Sequence, residues 1–93
     1  MQITDIVHDK AKQQFYLTAD GHKAFIDYRM ENGRYQLLHS EVPSALRGQG
    51  IGKVLVEKTF AAIEAEGKTA TAICSYIRHV AKRSGQWDDT VSY

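Results

Sequence analysis

The spacing of apolar positions changes at residue 43: before it the chain alternates in twos, after it apolar residues recur every three or four positions. Ala24, Ile26, Tyr28 and Met30 alternate with Phe25, Asp27 and Arg29, the period of a strand with one buried face. Residues 3–7 form a short strand candidate, and Asp9-Lys10 turns the chain into a second at residues 14–19. Asp20-Gly21 and Asn32-Gly33 mark tight hairpins, because both dipeptides tolerate the positive φ such turns need. Residues 35–42 make another strand, stopped by Pro43, which has no N–H to give to a ladder. Turns this short predict an antiparallel meander.

Beyond Pro43 the period lengthens. Ile51, Val54, Leu55, Phe60, Ala62 and Ile63 fall on one stripe, with Lys53, Glu57, Lys58 and Glu64 elsewhere. This predicts an amphipathic helix from residue 50 or 51 to 66, capped by Gly67. The β-branched and small residues of 69–74 suit a covered strand. Residues 76–83 predict a second helix with Ile77, Val80 and Ala81 inward; Gly85 breaks it, and residues 87–93 form a tail that adds a turn or strand. The strand–helix–strand unit spanning residues 35–74 implies a parallel pair joined by a right-handed crossover. The class is α+β.

Ninety-three residues make one domain with one modest core. With 43% apolar and 25% charged residues, the composition is that of an ordinary soluble globular protein. A net charge of +1 gives no reason to expect nucleic acid or an anionic membrane as partner. No apolar run approaches the ~20 residues of a membrane span, and no signal-peptide pattern is present. A single cysteine excludes an internal disulfide, and no Cys/His spacing suggests a metal site. A reducing cytoplasm is the expected compartment.

The chemistry concentrates in Leu46-Arg47-Gly48-Gln49-Gly50-Ile51-Gly52-Lys53. Glycines at every second position strip one side of a loop of Cβ atoms, so backbone N–H groups can approach an anion at the positive end of a helix. A phosphate is the implied guest. A Walker A loop is excluded, since Val54 follows Lys53 where a serine or threonine would be required. A Rossmann fingerprint is excluded by the spacing and by the short chain that follows. The plain alternative is a glycine-rich turn that only starts a helix.

Arg47-x-x-Gly50-x-Gly52 resembles the motif by which the GNAT superfamily of N-acetyltransferases holds the pyrophosphate of acetyl-CoA. His39-Ser40-Glu41-Val42-Pro43, the glycine loop and Cys74-Ser75-Tyr76 are similar to one small branch, the YjdJ-type acetyltransferases. The resemblance implies a GNAT-like α+β fold with a splayed parallel pair, acetyl-CoA as cosubstrate and no metal. It also implies a diphosphate held by the N–H groups of Gln49, Gly50, Ile51 and Gly52, with Arg47 and Lys53 supplying charge. Gly48, Val42, Cys74 and Tyr76 complete the implied cofactor contacts. The pantetheine arm would run between the two parallel strands, beside the backbone of Glu41 and Val42, where an N–H could stabilise an oxyanion.

His39 is the implied general base, because an imidazole with an unperturbed pKa near 6.5 suits proton removal at neutral pH. Glu41 shares its face in a regular strand and would act as a base or bind a cationic acceptor; a bulge in this strand would break that parity. Cys74 is either an acetylated nucleophile or a lining residue of the thioester pocket. Read without the resemblance, His39 is a sheet histidine, Glu41 a solvated carboxylate and Cys74 a small core hydrophobe. His8, His22 and His79 read as surface residues.

The chain departs from the branch at Ser84-Gly85-Gln86-Trp87, where a His-Pro pair is usual, and at Ser75, which replaces a proline and offers an N-cap. Ser40 stands for a threonine. Three readings follow: an N-acetyltransferase acting on an unidentified amine, small or macromolecular; a non-catalytic acyl-CoA-binding or protein-interaction module; and a domain with no ligand. A monomer or a weak edge-paired dimer is expected.

Overall fold

The computed structural model describes residues 2–93. Six strands form one sheet in sequence order: β1 Val7–Asp9, β2 Gln14–Ala19, β3 His22–Glu31, β4 Arg34–Glu41, β5 Ala70–Ala72 and β6 Val91–Ser92. Helix α1 (Ile51–Ala65) connects β4 to β5, and α2 (Ser75–Ser84) follows β5. The first four strands pair antiparallel, while β4–β5 and β5–β6 pair parallel. The meander, the amphipathic helix and the parallel pair are as the residue pattern predicts.

Alternation sets the core. Phe15, Leu17, Ala24, Ile26, Tyr28, Tyr35 and Leu37 are buried on one face of the sheet, against Leu55, Val56, Phe60 and Ile63 of α1. Ile77, Val80 and Ala81 of α2 are buried as expected, and α2 packs on α1, β4 and β5. Each buried aliphatic side chain contributes roughly 1.5–3 kcal/mol by leaving water.

Several boundaries differ from the pattern. The first strand is Val7–Asp9 rather than residues 3–7; Ile3 makes only an isolated bridge to Ala19. The expected strand at 69–74 shortens to Ala70–Ala72. The tail supplies β6, parallel to β5, with Trp87 buried beside Phe60 at a ring-centroid distance of 5.6 Å.

His8 is not the surface histidine its sequence neighbours suggested. Its ring stacks on Phe15 at 4.2 Å, and its side chain is 16% exposed. Nδ1 lies 3.1 Å from Glu66 Oε2 and Nε2 lies 2.6 Å from the Tyr28 hydroxyl, while the Tyr35 hydroxyl donates to Glu66 Oε1 at 2.6 Å. Burial works to raise the Glu66 carboxyl pKa, but the Tyr35 hydroxyl, His8 and Lys68 outweigh it and hold the group below its ordinary value. An ionised carboxylate only accepts, so Nδ1 carries a proton toward Glu66, and Nε2 meets the Tyr28 hydroxyl. Burial, then Glu66, raises the pKa of both Tyr28 and Tyr35 and keeps them as donors. Glu66 is the C-cap of α1, where a negative charge opposes the helix dipole, and these donors compensate it.

A depressed folded pKa contributes stability above the unfolded value, near 4.5 here, and loses it as the pH falls through the folded value. Thermal melts of the wild type should therefore decline more steeply below that pH than melts of Glu66→Gln. Parallel acid profiles of the two proteins would show that the cluster carries no such linkage.

Candidate active site

The site begins where β4 and β5 part. The strands pair at Tyr35, Gln36 and Leu37 with Ala70, Thr71 and Ala72. The Leu37 carbonyl then accepts from the backbone N–H groups of both Ile73 and Cys74, each at 3.0 Å. This closes the parallel ladder. Farther along, β4 pairs with β3 alone, so its second edge is open.

A bulge sits at the same place. Tyr28 faces Leu37 and Asp27 faces His39, leaving Leu38 unmatched on β4. Tyr35 and Leu37 point into the core; the extra residue reverses the parity, because cross-strand partners share a face. His39 and Glu41 thus join Asp27 and Phe25 on the face away from α1, and the His39 ring meets Phe25 edge-on at 6.4 Å. They still share a face with each other: His39 Nε2 lies 3.8 Å from Glu41 Oε1, with the side chains 57% and 58% exposed. A pair this exposed orients weakly and contributes little stability.

Pro43 ends β4, and a single 3-10 turn, Ser44–Leu46, anchors the loop through buried Leu46. Gly48 and Gly50 adopt φ of 80° and 76°, the left-handed region that disfavours other residues. Gly50 is the N-cap of α1, and its carbonyl takes the first helical bond from Val54 at 3.3 Å. Among the described residues, no protein acceptor takes the backbone N–H groups of residues 48–53. Such a run of free donors at a helix N-terminus suits an anion. Gly52 has a different reason to lack a side chain: a Cβ there would lie 2.8 Å from the Tyr76 hydroxyl oxygen, which crosses the first turn of α1.

Together these residues line a cavity of about 460 Å³. It brings together His39, Glu41, Val42 and Tyr76 with Arg47, Gly48, Gly50, Ile51 and Gly52, and adds Ser40 and Leu46. Three predicted residues, Gln49, Lys53 and Cys74, are not part of its lining. The Gln49 side chain reaches back to the Ala45 carbonyl at 3.5 Å, and Lys53 lines a neighbouring groove between the helices. Among the described residues, no cluster of His, Cys, Asp or Glu is arranged to hold a metal ion.

Cys74 does not end β5. It is the N-cap of α2, with φ −61° and ψ 131°, so Ser75 opens the helix instead of capping it. The half-buried thiol lies 3.6 Å from Ser40 Oγ. It makes no full capping hydrogen bond. Burial acts to raise its pKa, yet the backbone N–H groups of Ile77 and Tyr76 and the Ser40 hydroxyl bring it below the ordinary 9.0. Ser40 is the partner that strand alternation alone could not find, since its approach to Cys74 depends on the bulge and on the β4–β5 register.

A family profile described as GCN5-related N-acetyl-transferase matches residues 14–90. The chain belongs to this family. It is 32% identical over 82 residues to the human and bovine Protein NATD1, covering 85% of this chain and 73% of each relative. The mouse and chicken proteins match at the same identity, with 74% of each covered. A solution structure of a Staphylococcus aureus protein described as GCN5-like superposes with a TM-score of 0.69, covering 95% of this chain and 89% of that one at 24% identity. That likeness establishes the GNAT-like fold.

Two measurements probe this geometry. Alkylation of Cys74 by iodoacetamide should follow a titration with its midpoint below 9.0, because the thiolate is the nucleophile. A midpoint at or above that value would refute the depressed thiol. Gly52→Ala should destabilise the protein more with Tyr76 present than in a Tyr76→Ala background, with a coupling of about 0.5–1 kcal/mol in denaturant melts. Strict additivity would mean the two side chains do not meet.

Proposed function

We propose that this domain is an acetyl-CoA-dependent N-acetyltransferase acting on an amine acceptor. The carrying observation is the run of unclaimed N–H groups at residues 48–53, opening on a cavity that also holds His39 and Glu41. In this reading the loop and the N-terminus of α1 bind the diphosphate of acetyl-CoA, with Arg47 as the cationic partner able to make a bidentate pair. The pantetheine arm lies along the open edge of β4, where the backbone beside Glu41 and Val42 has no strand neighbour and can donate to the thioester carbonyl. His39 removes the proton from the attacking ammonium or amine, and Glu41 on the same face binds the cationic acceptor. No helix among the described residues is long and apolar enough to cross a membrane, and the acceptor reaches a site open to solvent.

A second route is favoured by the Cys74 environment. A thiol with a lowered pKa at a helix N-terminus suits attack on a thioester, releasing CoA and leaving an acetyl-cysteine for the amine to resolve. The family's small YjdJ-type branch and a cytoplasmic setting are consistent with the loop and cysteine motifs. The non-catalytic alternative keeps the loop and needs neither His39 nor Cys74.

His39→Ala should lower kcat by about 100-fold while CoA still binds, as read by calorimetric titration and a turnover assay on an alkylamine panel. Intact mass after incubation with acetyl-CoA alone separates the routes: an unmodified protein indicates direct transfer, and one acetyl group on Cys74 indicates the covalent path. Turnover unchanged in both His39→Ala and Cys74→Ala would remove both residues from the chemistry, and CoA binding by a wild type that turns over no amine would leave a binding module.

A further inference from the structure

The glycine loop is flanked by two cavities, and Tyr76 lines both. The second, of about 540 Å³, lies between the helices. Tyr76, His79, Val80 and Arg83 form its α2 wall, at the three- and four-residue spacing of one helix face; Lys53 and Glu57 form its α1 wall. Lys53 and Arg83 make no ion pair and no hydrogen bond among the described residues. Among the described residues, Glu57 is the one carboxylate lining the groove, beside Lys53, Arg83 and His79. Helix-end statistics account for a basic residue in the last turn of α2, but they do not account for Lys53 lining the same groove from the first turn of α1.

We infer that this inter-helix groove is a phosphomonoester subsite, in which Arg83 and Lys53 select the 3′-phosphate at the nucleotide end of CoA. The inference rests on the diphosphate lying at residues 48–53. From there the molecule continues in two directions. The cavity on the His39 side is bordered by the open edge of β4, which suits an extended arm rich in amides. The groove on the Lys53 side offers cations for a dianion, with Val80 and the ring of Tyr76 as apolar surface for a flat base. Val80 is 6% exposed and Tyr76 42%, a floor and an accessible rim. Arg83 is the stronger determinant, since a guanidinium can take two phosphate oxygens at once.

Calorimetric titration with CoA and with dephospho-CoA, which differ only in that phosphate, provides the test. The wild type should bind CoA at least about tenfold more tightly, the scale of one charge-assisted contact. Arg83→Ala should bring the ratio close to one by weakening CoA alone, and Arg83→Lys should restore part of it. Equal affinity of the wild type for both ligands, or a preference unmoved by Arg83→Ala, overturns the subsite while leaving the loop reading intact. Failure of either ligand to bind the wild type overturns both.

Discussion

The Leu37 carbonyl governs the geometry of this protein. By accepting from two successive N–H groups, it ends the β4–β5 ladder after three pairs and releases the chain into α2. The first turn of α2 then lies beside the first turn of α1, close enough for the Tyr76 hydroxyl to occupy the space a Cβ of Gly52 would need. Two helix N-termini converge next to an unpaired strand edge. Their dipoles add at one place, and that place is where the glycine loop leaves its donors free.

The opposite end of α1 explains why the loop holds its position. Glu66 closes that helix and is gripped by Tyr35, from the start of β4, and by His8, from the edge strand. The helix is thus fastened to the sheet at its C-terminus by a part-buried polar cluster and along its length by Leu55, Phe60 and Ile63. A loop carried by so fixed an element can present its backbone without having to order itself at binding. The reacting groups are arranged differently. His39 and Glu41 stand on the exposed face, where an acceptor of almost any size has access, while the Cys74 thiol is half-buried behind Ser40.

The meander was legible because its turns are chemically explicit and its alternation is clean: Asp20 and Asn32 indeed adopt positive φ, as do Gly21 and Gly33. The loop was legible because glycine spacing reports directly on backbone access. The short elements were not. β1 and β6 contain three and two residues, too few for a period to show, and each exists only because a neighbouring strand offers a ladder. His8 was missed for a related reason: its partners Tyr28, Tyr35 and Glu66 are distant in sequence, and no local pattern announces them.

Sequence alone thus determined which backbone is extended, which is helical and which donors are left bare, because those properties depend on residues within a turn or two of each other. The face shown by His39 and Glu41, the capping position of Cys74 and the placing of Lys53 and Arg83 on one groove were decided by tertiary structure. One unmatched residue at Leu38 and one doubly used carbonyl at Leu37 set all the directions around the site, and both arise from pairing between strands. Strand register is a property of two chain segments at once, so no single segment could have specified it.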